Sequence, residues 1–386
     1  MDGRIHRPQR TYRNTIVTFL LAMLMLASIA GNVFASSADS LRAIADRAGC
    51  AYEDILSSKL VAPGESVSDW IAIATGCSGN PVKRNAYLKG LEEYVTAEYE
   101  KNGCLHSVKA TEYHRISLAV LALGGDPTAF GTDAINLIAE GTYHWGNSDS
   151  LGTQGLNGWI WALIVLDAKQ YPVPDDAIYT RKEMIGQILA AQTDEGGFGL
   201  SGGSPDVDIT AMTLQALAPY YQHNMDVQSS VDRALYWLSA QQNESGDFTS
   251  WGSGTAEGTA QTVIALCSLG IDPRTDTRFV KNGKSALDGL MQYQVDGGMF
   301  RHTLDGEADV MATEQAALAL MALERLDTNG NPLYDFTDVT VYAGNDDSLD
   351  VPETPKNPTV WVVITVAAVA VAGGVFVFVK RGKKHV

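Results

Sequence analysis

The chain has 386 residues, 45% of them hydrophobic, and a formal net charge of −17. That is enough apolar material for a sizeable core. The acid excess argues against nucleic acid and against adsorption to anionic lipid, both of which are held by Lys and Arg.

The N-terminal residues read as an export signal. Arg4, Arg7, Arg10 and Arg13 precede an apolar run from about Thr15 to Ala30, and Val33-Phe34-Ala35 fits a small-residue cleavage site. The run is short for a spanning helix, so residues 1–35 are expected to be removed. Beyond it, up to the basic tail, 44 acidic residues face 20 basic ones, a balance of −24. Cys50, Cys77, Cys104 and Cys267 form an even set in an exported chain, which permits disulfides in any of three pairings. Cys267 sits among apolar helix residues and reads as a core thiol.

Residues 36–336 alternate between two kinds of helical text. The amphipathic kind covers roughly 41–58, 85–101, 130–140, 181–192, 227–242 and 279–294. The other kind is rich in Ala and Leu and apolar nearly all round, as buried helices are. Its copies begin near Ser68, Thr111, Leu156, Thr210, Thr259 and Thr313. Three segments repeat the same local text: Gln192-Thr-Asp-Glu-Gly196-Gly-Phe198, Gln242-Asn-Glu-Ser-Gly246-Asp-Phe248 and Gln294-Val-Asp-Gly-Gly298-Met-Phe300. Each Phe stands 11 to 13 residues before the Thr of an apolar helix. One helix pair cannot bury its apolar face alone, so pairs stack side by side. Six pairs can close into a ring, apolar helices inside and amphipathic ones outside. Gly-rich turns supply the positive-φ reversals.

Residues 337–358, with Asp346, Asp347, Pro352, Pro355 and Pro358, read as a disordered acidic linker. Residues 359–379 are 21 uncharged, mostly apolar residues, long enough to span a bilayer. Lys380, Arg381, Lys383 and Lys384 in the tail 380–386 then place the tail in the cytoplasm and the body outside. Val351-Pro352-Glu353-Thr354-Pro355 resembles the LPxTG sorting signal of Gram-positive surface proteins, with Val for Leu and Pro for Gly. A simple membrane anchor is expected rather than covalent wall attachment.

The repeat Q-x-x-x-G-x-F followed by a Thr-led helix resembles the prenyltransferase and squalene-oxidase repeat of the α/α toroid superfamily. That superfamily includes terpenoid cyclases, protein prenyltransferase β-subunits, the complement thioester domain and the cobalamin carriers. The match runs from about Leu41 to Leu326 and is strongest from Gln192 onward, closest to exported Gram-positive proteins. It implies an all-α (α/α)6 toroid, with the C-terminal transmembrane helix added.

The resemblance does not settle activity. Class II terpene cyclases use a DxDD run whose middle Asp protonates the substrate. Asp206-Val207-Asp208-Ile209 resembles it but lacks the last Asp. Asp206 or Asp208 can equally cap the following helix. The zinc triad of protein prenyltransferases needs Asp-x-Cys, and Asp309-Val310-Met311 has Met in place of the thiol. Gly76-Cys77-Ser78 and Gly103-Cys104-Leu105 lack the Glu-Gln of a thioester site. The expectation is therefore a non-catalytic protein without a cofactor; were it an enzyme, Asp208 or Glu314 would be its acid. Polar and aromatic residues at the helix starts are expected to line a binding mouth: Asp69, Trp70, Glu112, Tyr113, His114, Trp159, Asp208, Gln261, Glu314 and Gln315. The expected ligand is a small molecule, with a corrinoid as one candidate by analogy with the cobalamin carriers. Those carriers add a small β-rich lid domain, and here a partner protein would have to supply it. An adhesion or scaffold module is the remaining alternative.

Overall fold

Helices begin where the apolar text begins. The computed structural model describes residues 62–77, 84–250, 252–328 and 330–341. The expected signal peptide, the helix at 41–58, Cys50, the sorting-like motif, the spanning helix and the basic tail lie outside the described residues. In chain order the α-helices are α1 (Ser66–Cys77), α2 (Arg84–Asn102), α3 (Ala110–Ala122), α4 (Leu137–Gly141), α5 (Leu156–Ala168) and α6 (Arg181–Ala190). They continue as α7 (Val207–Leu217), α8 (Met225–Gln241), α9 (Ala256–Ser268), α10 (Ala286–Met291) and α11 (Val310–Thr328). Every described residue belongs to one compact unit.

The odd-numbered helices form the inner ring. Each packs on the next, and α11 returns to α1, so the ring closes. Their interiors are nearly all buried: in α5 every residue except Asn157 and Asp167 is, and in α9 the run Gly258–Cys267 is buried throughout. The even-numbered helices stand outside with one apolar stripe each. Val227, Val231, Ala234, Leu235 and Leu238 mark that stripe on α8.

The repeat has a hydrogen-bond explanation. The Phe N–H of each copy donates to the hydroxyl of the Thr on the next inner helix: Phe198 to Thr210 at 2.8 Å, Phe248 to Thr259 at 3.1 Å and Phe300 to Thr313 at 2.8 Å. All six residues are fully buried. Gln192 and Gln242 use their side-chain amides to hold the Gly turn, through Gly196 O at 2.6 Å and Gly246 O at 2.9 Å. Gly196, Gly246 and Gly298 sit at φ of 102°, 92° and 86°, where a side chain would be strained.

Two outer elements differ from expectation. The segment 279–294 is helical only over α10. It is preceded by a short hairpin pairing Val280–Lys281 with Lys284–Ser285. Asn282 and Gly283, at φ of 48° and 76°, supply the two positive-φ positions of a tight hairpin turn. In place of a helix over 130–140, Phe130 bridges Ile135 around a turn, and α4 starts only after its Asn136 cap. The body also extends past residue 336. Phe336 N–H donates to Ala168 O at 2.7 Å, and Lys169 Nζ donates to Val339 O at 2.8 Å. Cys77, Cys104 and Cys267 form no disulfide among the described residues, and burial lifts the Cys267 thiol to about 12.

Thr313→Val keeps the shape of the side chain and leaves the buried Phe300 N–H without an acceptor. It should lower stability by about 1–3 kcal/mol in denaturant titrations. A loss too small to resolve would mean that this hydrogen bond does not hold the turn.

Candidate functional site

On α7, α9 and α11 the residues two before and two after the repeat Thr are one helical turn apart and share a face. These are Asp208 and Met212, Glu257 and Gln261, and Met311 and Gln315. All six line one cavity of about 380 Å³. The hairpin formed by Phe248–Ser250 and Ser253–Thr255 adds Ser250, Ser253 and Thr255, and the turn after Phe300 adds His302. Ser250 and His302 each stand two residues beyond their repeat Phe. The cavity is thus one register position repeated around part of the ring, at the N-terminal ends of the inner helices.

Its chemistry centres on the aspartates that open α7. Asp206 Oδ1 caps the helix, accepting from Asp208 N at 2.9 Å and Ile209 N at 3.3 Å. The Ser250 hydroxyl lies 2.9 Å from Asp206 Oδ2 and 2.6 Å from Asp208 Oδ2. One hydroxyl proton cannot serve both carboxylates fully. A proton on Asp208 resolves the conflict: Asp208 donates to Ser250, and Ser250 donates to Asp206. Burial, with the charges of Asp206 and Glu257, lifts Asp208 to about 6, against the pull of Ser250 and His302. Asp208 Oδ1 is buried and has no partner among the described residues. On the rim, Glu257 Oε2 meets His302 Nδ1 at 2.8 Å. From the floor an amide chain runs inward: Gln261 Nε2 donates to Gln315 Oε1 at 3.2 Å, and Gln215 Nε2 donates to Gln261 Oε1 at 2.8 Å. Among the described residues no group of three or more His, Cys, Asp or Glu could hold a metal ion.

The sequence profile of the prenyltransferase α/α toroid domain matches residues 148–250 and 221–342, together half of the chain. The chain belongs to this family. Drimenyl diphosphate synthase of Streptomyces showdoensis is 26% identical over 159 residues, which are 40% of this chain and 29% of that protein. The chain therefore spans under a third of that curated relative. Protein geranylgeranyltransferase-I of Candida albicans, solved in complex with GGPP, superposes with a TM-score of 0.53. The superposition covers 77% of this chain and 99% of the other at 11% identity, a likeness of fold alone.

Within this toroid domain, Asp208, Gln261 and Gln315 share the cavity. The other expected mouth residues do not line it, because their polar atoms are used inside the protein or face elsewhere. Asp69 is fully buried and accepts from Arg115 Nε at 2.9 Å, Tyr87 OH at 2.7 Å and Gly64 N at 3.0 Å. Glu112 accepts from the same arginine at 2.5 Å. Tyr113 is fully buried, and its OH accepts from Leu105 N at 2.9 Å. His114 meets Gly141 O at 2.5 Å, and burial lowers its pKa to about 4, which keeps it neutral. Trp159 packs edge-on against Tyr179, and Trp70 against Trp161. Glu314 takes the place that Ala211 and Ala260 hold in the preceding repeats. It is 3% exposed, its Oε2 has no partner among the described residues, and burial raises its pKa well above the carboxylate range.

Ser250, Ser253, Thr255, Glu257, His302, Met212 and Met311 were missed from sequence. The signal was present: each occupies a fixed offset from a repeat Phe or Thr, or lies on the hairpin between them.

Asp208 gives the site a pH signature. Folding raises its pKa from 3.8 to about 6, so the folded chain holds a proton there that the unfolded chain releases. Stability from this group is therefore fullest below that window and falls as pH rises through it, by about 3 kcal/mol at most. Asp208→Asn cannot show this fall. Denaturation at about pH 4 and about pH 7 should change the gap between wild type and variant by roughly 2–3 kcal/mol. A gap independent of pH would rule out the buried, protonated Asp208.

Proposed function

We propose that the protein is a membrane-tethered extracellular binding protein that holds a small molecule over the toroid mouth at Asp208 without transforming it. The supporting observation is the cavity built from three successive repeats. Its apolar contacts are Met212 and Met311, and its hydrogen-bonding groups are Asp208, Gln261, Gln315 and the Ser/Thr hydroxyls of the hairpin. Apolar contact surface with convergent polar groups is the usual make-up of a ligand site. The unpartnered Asp208 Oδ1 gains a partner when a ligand presents an N–H or O–H. A molecule with an apolar body and amide edges fits this set, and a corrinoid is one such molecule. A partner protein that closes over the mouth completes the burial. Residues 359–379 provide the tether, and the acidic body suits the cell exterior.

Equilibrium binding of cyanocobalamin to the full chain in detergent tests the corrinoid version. Saturable binding is expected, weakened at least about tenfold by Gln261→Ala. No binding up to roughly 100 μM would remove the corrinoid as ligand.

One observation favours a second reading, acid catalysis in the manner of a divergent terpene cyclase. Asp208 is a buried carboxyl that keeps a proton to about pH 6 and faces a cavity. The relative named drimenyl diphosphate synthase supports the same reading, while Ile209 in place of the run's last Asp weakens it. Incubation with squalene or prenyl diphosphates, followed by product analysis, separates the two readings. An acid mechanism gives product that fades as pH rises past about 6 and is absent in Asp208→Asn. Substrate returned unchanged at every pH leaves the binding reading standing.

A further inference from the structure

A second cavity, of about 530 Å³, lies at the other end of the inner ring, between the last turns of α5 and α7 and the segment 330–341. It is within the volume range of small-molecule sites, about 300–1,000 Å³. Its walls are flat and largely apolar, formed by Tyr171, Tyr220 and Tyr334 with Pro172, Pro219 and Pro332. The wall carrying Tyr334 is fixed in place. Tyr334 packs edge-on against Trp161 at 5.7 Å, and Arg325 Nη1 donates to Pro332 O and Asp335 O at 3.2 and 2.8 Å.

Arg181 and Asp167 are matched to each other, and Asp335 Oδ1 accepts from Thr337 N at 2.9 Å and Oγ1 at 2.6 Å. Arg181 donates to Asp167 Oδ1 at 2.8 Å, to Leu166 O at 2.9 Å and to Tyr171 O at 2.7 Å, and Tyr220 OH donates to Asp167 Oδ2 at 2.7 Å. An anionic guest would have to break the Arg181 set and meet the carboxylate of Asp335, so the site disfavours anions.

Two polar atoms are left over, Tyr334 OH and Gln215 Oε1. Gln215 lines the cavity and is 5% exposed. Its Nε2 points at the backbone carbonyl of Gln261, at 3.3 Å, as well as at the side-chain oxygen. A backbone carbonyl only accepts, so the amide cannot be reversed. Gln215 Oε1 is thereby fixed as the free end, and it accepts from nothing among the described residues. A buried acceptor without a donor costs free energy that a ligand N–H would recover.

We propose that this second mouth binds a neutral, flat heteroaromatic molecule that lies against the tyrosine rings and donates an N–H to Gln215 Oε1. The inference is independent of what the first mouth binds.

Adenine is a suitable probe, being planar, neutral and a donor, with benzoate as the anionic control. Both are titrated into the full chain in detergent and followed by saturation-transfer NMR and calorimetry. Adenine should bind saturably and benzoate should not. Gln215→Leu should weaken adenine at least about tenfold, by removing the acceptor. Ala218→Phe fills the cavity from its rim without touching a polar group, and should abolish binding while thermal unfolding stays cooperative. Saturable adenine binding that survives Ala218→Phe overturns the proposal, and so does the absence of any binding at the solubility limit. Equal affinity for benzoate overturns the neutral-ligand assignment. Binding lost in Asp208→Asn but kept in Ala218→Phe would put adenine in the first mouth, and it too overturns the proposal.

Discussion

A buried backbone N–H must find an acceptor, and in this fold the acceptor is a threonine. Each repeat brings its Phe ring into the core, and the Phe N–H goes with it. The hydroxyl of Thr210, Thr259 or Thr313 receives it on the first turns of an inner helix. This bond fixes the turn after each outer helix against the start of the next inner one. The rest follows from that fixed distance. Residues at set offsets from the Thr and the Phe arrive at the same height and angle in every repeat, which is why Asp208, Glu257, Met311, Ser250 and His302 meet around one opening.

The sequence carried the inner ring clearly, because its two signals agree. Helices apolar all round must be buried, and a Thr at the same place in the last three marks a common start. The outer layer was less legible. An amphipathic stripe persists in a segment that is only partly helical, so the text over 279–294 does not reveal that Asn282-Gly283 turns it into a hairpin first. Seven of the ten expected mouth residues lie outside the Asp208 cavity for a related reason. Treating every polar residue near a helix start as mouth-facing ignores that neighbouring positions on a helix point about 100° apart. Gln261 faces the cavity, while the neighbouring Ala260 and Thr262 pack into the wall. The partner of Asp69 is Arg115, 46 positions away, and no local pattern announces it.

The ring centre is neither hollow nor oily. Trp161 packs against both Trp70 and Tyr334, and Gln215, Gln261 and Gln315 form a hydrogen-bonded chain. Such a polar chain is less stabilising than the Ala and Leu packing around it unless its members are satisfied. The chain is satisfied in its middle and open at Gln215 Oε1, and beside the other mouth Asp208 Oδ1 is open too. Asp208, Gln215 and Tyr334 each combine an unsatisfied atom with a place in a cavity wall, the pattern expected where a ligand completes the network.

Helix direction sets which backbone groups each opening presents. The starts of α7, α9 and α11 share one cavity, and the ends of α5, α7 and α9 border the other. Helix starts present N–H groups and favour carboxylates, and helix ends present carbonyls and favour cations. Asp206, Asp208 and Glu257 gather at the first opening. At the second, Arg181 donates to the carbonyls of Leu166 and Tyr171 and pairs with Asp167, and Asp335 adds a further carboxylate. At the first, the helix starts favour the carboxylate form, yet burial still raises Asp208 to about 6. Desolvation therefore outweighs the helix field at that site, and the raised acid follows from its place in the ring, whatever molecule comes to occupy the mouth.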